Sequence, residues 1–125
     1  MVTLIADDLK KWHDVAERNL FYFGFKEFLH AYDIKEGLML YEASKPGLVI
    51  TDINFDTSNP KNLDGLVLCR QIRDKTEDTI VVVMTSIEGI KETAIAHGAH
   101  YFIQKRHFKE EIEAFVKSHY SLTQH

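Results

Sequence analysis

Leu48-Val49-Ile50-Thr51-Asp52 is the stretch that decides the fold. Four apolar or β-branched residues in a row, closed by a carboxylate, read as a parallel strand buried on both faces. Two more runs of this kind flank it, Val2-Thr3-Leu4-Ile5-Ala6 on one side and Ile80-Val81-Val82-Val83-Met84 on the other. A fourth run, Lys26-Glu27-Phe28-Leu29-His30, mixes charge with its apolar residues and reads as an edge strand. A fifth is Tyr101-Phe102-Ile103. Amphipathic helices fill the gaps. The first puts Trp12, Val15, Ala16, Leu20 and Phe23 on one stripe and stops at Gly24. The second opens on Asp33 and Glu36, the spacing of a capping box, and stops at Pro46-Gly47. The third spans Gly65 to Asp74 with Leu68 and Ile72 inward, and the fourth follows Ser86 and ends at Gly98. The last aligns Phe108, Ile112, Phe115, Val116 and His119. Five strand-helix alternations define a doubly wound α/β domain with right-handed crossovers. One stretch is irregular: Ile53 to Asp64 is a long, polar strand-to-helix loop of the kind that often carries function.

The composition agrees with one globular domain spanning 1–125. Of 125 residues 45% are hydrophobic and 27% charged, which argues against disorder, and no apolar run is long enough for a membrane span. The start, Met1-Val2-Thr3-Leu4, lacks the basic and apolar regions of a signal peptide. Fifteen basic residues against nineteen acidic ones leave a net charge of −4 and no basic stripe, so nucleic acid is not an expected partner. The single cysteine, Cys69, excludes an internal disulfide, suits a reducing cytoplasm and reads as a small buried hydrophobe. No closely spaced Cys/His set suggests structural zinc.

Open α/β sheets bind ligands at the carboxyl ends of their strands. Those ends carry Asp7 and Asp8, then Asp52, then Thr85 and Ser86, then Lys105. Three converging carboxylates repel one another and call for a positive partner. Magnesium, a hard cation, takes one or two carboxylates together with water and phosphate oxygens. Lys105 adds a point charge suited to phosphate and Thr85 a hydroxyl. Carboxylate, cation, ammonium and hydroxyl around one point are the parts of a phosphoryl-transfer site. Asp52, on the central strand, is the candidate nucleophile.

These residues stand in motifs: Ala6-Asp7-Asp8, Thr51-Asp52-Ile53-Asn54, Leu63-Asp64-Gly65, Met84-Thr85-Ser86, and Gly98-Ala99 through Phe102 to Lys105. In that order, each at its strand end, they resemble the response-regulator receiver domains of two-component signalling over nearly the whole chain. The resemblance implies a flavodoxin-like (βα)5 fold with strand order 2-1-3-4-5. It implies phosphorylation of Asp52 by a histidine kinase or histidine phosphotransfer protein. Mg²⁺ would be held by Asp8, Asp52 and the backbone carbonyl of Asn54, with Asp7 assisting. Thr85 and Lys105 would grip the phosphoryl oxygens, and Thr85 with Phe102 would form the switch to a downstream target protein. Such a domain is not a turnover enzyme; it catalyses only its own phosphoryl transfer and autodephosphorylation. Two features depart from the pattern. Arg106 and His107 follow Lys105 where the family usually has proline, often with a cis bond. The Asp52–Gly65 stretch is also longer than in chemotaxis-type receivers, with Asp56-Thr57-Ser58-Asn59 as the insert. No output domain is visible, and Ser121–His125 is too short to be a linker.

Plainer readings stand beside these. Asp7 and Asp8 can simply cap a helix. Thr85 can be a strand-terminal β-branched residue, Lys105 a solvated lysine and Phe102 a packed core aromatic. Asp52-Ile53-Asn54-Phe55-Asp56 mimics the start of a calcium loop, but Thr57 and Leu63 occupy the positions that need Gly and Glu. The seven histidines are scattered and read as solvated or core residues. Two rival functions stay open: a pseudo-receiver that binds without being phosphorylated, and an aspartate-nucleophile phosphatase of the haloacid dehalogenase type. The second needs an aspartate where this chain has Asn54.

Overall fold

The computed structural model describes residues 1–120; Ser121–His125, read above as too short for a linker, lies outside the described residues. In chain order the elements are β1 (Val2–Ala6), α1 (Lys10–Tyr22), β2 (Glu27–Ala31), α2 (Ile34–Ser44), β3 (Leu48–Asp52) and α3 (Asp64–Lys75). They continue with β4 (Ile80–Thr85), α4 (Lys91–Ala96), β5 (Tyr101–Gln104), a 3-10 turn (Lys105–His107) and α5 (Phe108–Tyr120). All strand pairs are parallel, in the order β2-β1-β3-β4-β5 expected from the resemblance.

Period-2 alternation splits the strands between two cores. Leu4, Val49, Val81, Val83 and Phe102 face one layer, with Leu68, Cys69 and Ile72 of α3 and Ala94 of α4. Ile5, Leu48, Ile50, Val82, Met84 and Ile103 face the other, with Ala16 and Leu20 of α1 and Ile112, Phe115 and Val116 of α5. β3 has no exposed residue on either face, which is why its sequence is an unbroken apolar run. β2 is an edge strand and only Ala31 in it is buried.

Local chemistry sets the helix ends. Asp33 caps α2 by accepting from Glu36 N at 2.7 Å, while Glu36 Oε1 accepts from Tyr32 N. Gly24, at φ +97°, turns the chain out of α1. Two boundaries differ from the sequence expectation. Phe23 lies just past α1, as its C-cap. The fourth helix starts at Lys91 rather than after Ser86, because Gly89 at φ +74° breaks the helical path and leaves 86–90 as a loop. Its remaining six residues bury Ala94 alone. His119 is exposed, with its ring 4.6 Å from that of Phe115, so it rims the apolar stripe rather than joining the core. Cys69 is fully buried, and burial pushes its thiol up to about 11. Among the described residues no helix is long and apolar enough to cross a membrane.

Candidate functional site

Strand register brings the candidate residues to one edge of the sheet. Ala6 pairs with Thr51, Asp52 with Met84, and Thr85 with Gln104. Asp7, Asp52, Thr85 and Lys105 therefore close four adjacent strands at one level. All four are buried: Asp7 is 0% exposed, Thr85 1%, Asp52 6% and Lys105 6%. Burial at this level overturns the reading of Lys105 as a solvated lysine.

Lys105 is the hub. Its ammonium lies 2.8 Å from Asp7 Oδ2 and 3.1 Å from Asp52 Oδ2. The missing proline does not displace it: the 3-10 turn Lys105–His107 carries the chain from β5 into α5, and there is no cis peptide among the described residues. Asp52 Oδ1 accepts from Ile53 N at 2.8 Å. Burial nevertheless dominates the ionisation of Asp52 and pushes its carboxyl up to about 6, against the pull of Lys105 and with the push of Asp7. Burial also raises Asp7, less the opposing effect of Lys105. Asp7 has a capping role too, since its Oδ1 accepts from Leu9 N at 2.8 Å.

One oxygen each from Asp7, Asp8 and Asp52 can be chosen so that all lie within 4.8 Å of one another. Asp8 Oδ1 is buried and has no hydrogen-bond partner among the described residues. A buried carboxylate oxygen without a donor is costly unless a cation takes it. The set is all oxygen, which fits a hard divalent ion. Asn54, the fourth expected ligand, lies beside Asp52 on the wall of the same pocket, with its side chain bonded to Asn59 O and Asp56 N.

That pocket is about 270 Å³ and is lined by Asp52, Asn54, Thr85 and Lys105 together with Leu9, Trp12, Thr57, Pro60, Ser86 and Ile87. Thr85 Oγ1 accepts from Ile87 N at 3.1 Å, which leaves its proton to donate elsewhere. Phe102 is 9% exposed and packs in the layer that also holds Ala94, Ile87 and Ile90, so in this structure it is a core aromatic.

Sequence reasoning missed three parts of the site. Trp12 was read only as part of an apolar stripe, yet its ring lies 4.8 Å from the Lys105 ammonium. His13 is buried; its Nε2 bonds the backbone carbonyl of Asp7 at 2.8 Å and its Nδ1 contacts His30 Nδ1 at 2.8 Å. The tight docking of Gly65 was missed as well: a Cβ there would lie 1.6 Å from Asp52 O. The motif Leu63-Asp64-Gly65 was its signal; for Trp12 and His13 a helical stripe of apolar residues gave none.

A family model described as the response regulator receiver domain matches residues 3–117, and the chain belongs to that family. "Response regulator MprA" of Mycolicibacterium vanbaalenii is 28% identical over 117 residues, which is 92% of this chain and 48% of the relative. The chain thus spans about half the length of the curated relatives it matches. Among solved structures, the receiver domain of NtrX from Brucella abortus superposes with a TM-score of 0.77 at 26% identity, covering 93% of this chain and 95% of that one. TrrA from Thermotoga maritima, solved with Mg²⁺-BeF, superposes with a TM-score of 0.79 at 22% identity, covering 94% and 96%. These likenesses match the strand order seen here.

Proposed function

We propose that this receiver domain takes a phosphoryl group onto Asp52 in a Mg²⁺-dependent phosphorelay and passes the signal on by binding a target protein. The observation that carries this reading is the buried ion pair of Lys105 with Asp52 and Asp7, beside an Asp8 oxygen that lacks a donor. A buried ammonium bridging two carboxylates at a strand end is poised for an anion, and packing alone does not require it.

In the proposed step a phosphohistidine of a histidine kinase or phosphotransfer protein enters the pocket. An Asp52 carboxylate oxygen forms the O–P bond as the donor's P–N bond breaks, and the leaving imidazole nitrogen takes up a proton from solvent water. Lys105 and Thr85 hold the phosphoryl oxygens as charge spreads over them. Asp7, Asp8, Asp52 and the Asn54 carbonyl would hold Mg²⁺, which neutralises the crowded negative charge. Ionised Asp52 is the competent nucleophile. Thr85, drawn toward the phosphoryl group, would leave room that Phe102 fills, reshaping the α4-β5-α5 face.

Intact mass after treatment with a small phosphodonor tests the reading. The wild type gains about 80 Da with Mg²⁺ present and not without it, and Asp52→Asn gains nothing. Undiminished gain in Asp52→Asn overturns the assignment. No gain in the wild type favours the pseudo-receiver. Sustained turnover of a phosphomonoester would favour the phosphatase, against which Asn54 already stands.

A further inference from the structure

We infer that Trp12 is a positioning residue for Lys105: its indole face keeps the ammonium in the pocket when a divalent cation claims the carboxylates. Three groups surround the Lys105 ammonium, namely Asp7 at 2.8 Å, Asp52 at 3.1 Å and the Trp12 ring centroid at 4.8 Å. Two of them, Asp7 and Asp52, belong to the set whose oxygens converge within 4.8 Å with Asp8. A cation bound there competes with the lysine for both carboxylates and repels it directly. The indole face offers nothing to a hard cation, whose preferred ligands are oxygens. It attracts an ammonium through the ring quadrupole, and more strongly where water is excluded. Of these three groups, Trp12 is the one that metal binding leaves in place.

The ring is itself held. Trp12 lies on the first turn of α1, half-buried, tilted against Phe108 at 6.1 Å between centroids. Phe108 is the first residue of α5 and is 3% exposed. The turn that carries Lys105 thus sits between β5 and the helix against which Trp12 packs. Trp12 also walls the pocket that holds Asp52 and Thr85. Lys11 reaches the same ring from outside, at 5.4 Å, but from an exposed position.

The inference rests on the reading of Asp52 as a Mg²⁺-dependent acceptor, and the test separates the two. Mg²⁺ affinity is measured by calorimetry for wild type, Trp12→Leu, Lys105→Met and the double variant. Freed from the indole, Lys105 yields to the cation, so Trp12→Leu binds Mg²⁺ about twofold to fivefold more tightly. In the Lys105→Met background the same change has no effect. At saturating Mg²⁺, Trp12→Leu is phosphorylated by a small donor several-fold more slowly, and Trp12→Phe, which keeps a ring, recovers most of the rate. A purely structural role would weaken Mg²⁺ binding and phosphorylation together. An equal effect of Trp12→Leu with and without Lys105 overturns the inference. A wild type that neither binds Mg²⁺ nor gains a phosphoryl group overturns the acceptor reading instead. Trp12 is the only tryptophan in the chain, so its fluorescence gives a readout that needs no Trp12 variant. Emission must differ between wild type and Lys105→Met, and identical spectra overturn the inference.

Discussion

The segments that follow β3 and β4 both leave the sheet beside the same pocket, yet they are built in opposite ways. Residues 53–63 tie themselves down. Asn54, Asp56, Asn59 and Asn62 each accept, through a side-chain oxygen, from the backbone N–H two residues on. Asn62 also accepts from Phe55 N, and Phe55 is 8% exposed. At its end Gly65 donates to Ile53 O at 2.8 Å and docks α3 on the Asp52 carbonyl. Residues 86–90 have little of this. Ile87 N rests on Thr85 Oγ1, Gln104 Nε2 on Ile87 O, and Arg106 reaches exposed Glu88. Gly89 stands at positive φ, and the six-residue α4 that follows is too short to be stable without packing. The proposed acceptor, Asp52, sits on the fixed side of the pocket and the Thr85 hydroxyl on the loose side. Low local stability is where conformational response is drawn from, and here it lies next to Thr85 rather than next to Asp52.

The largest blow to the fixed side is Gly65→Ala. Its Cβ would meet backbone atoms of Asp52 and Ile53 at 1.6–2.7 Å, and no rotamer relieves that. Unfolding by urea should show a loss of about 3 kcal/mol or more, together with loss of phosphorylation by a small donor. A loss below about 1 kcal/mol would show that the corner is not rigid.

Next is the charge that the corner carries. With its carboxyl raised from 3.8 to about 6, folded Asp52 retains a proton that the unfolded chain has already released. Its stabilising contribution is full below pH 3.8 and is lost as pH rises through about 6. Without Mg²⁺, Asp52→Asn should therefore be more stable than wild type at pH 7.5, by about 2 kcal/mol. The gap should close as pH falls to about 4, read by thermal unfolding at each pH. A gap that widens toward acid pH would reverse the assignment.

Asn62→Ala comes third. It strips one acceptor from two backbone donors, Phe55 N at 3.0 Å and Asp64 N at 3.1 Å. A cost of about 1–2 kcal/mol is expected, with faster amide exchange confined to the 53–64 segment. Smallest is Gly89→Ala. No atom lies within 4 Å of the added Cβ, so only the positive φ opposes it. A cost of about 1 kcal/mol is expected, with phosphorylation by a small donor unchanged. If Gly89→Ala cost more than Asn62→Ala, the contrast between the two segments would fail.

Much of this was legible in the sequence because burial leaves a local mark. An apolar run such as Leu48–Thr51 reads as a doubly covered strand whatever its neighbours. Parallel strands then bring their carboxyl ends together, so Asp7, Asp52, Thr85 and Lys105 could be placed on one edge before any contact was known. The short α4 was misjudged because a glycine at 89 accepts either a helical path or the positive φ it takes, and the residue type does not choose between them.

By itself, then, the sequence determined which elements form, in what order, and which charged groups share one end of the sheet. Hydrophobic periodicity and strand chemistry are encoded residue by residue, and that was enough. Only the tertiary structure decided that Lys105 would be buried against Asp7 and Asp52, and that Trp12 would turn its ring to the ammonium. The same holds for His13, which reaches the Asp7 carbonyl, and for the loop after β3, which brings Thr57 and Pro60 into the pocket wall. The contacts of Lys105 join residues distant in the chain, and the energy of every one of these contacts depends on how far packing removes water. A helix stripe reads the same whether its outermost aromatic covers a core or a cation.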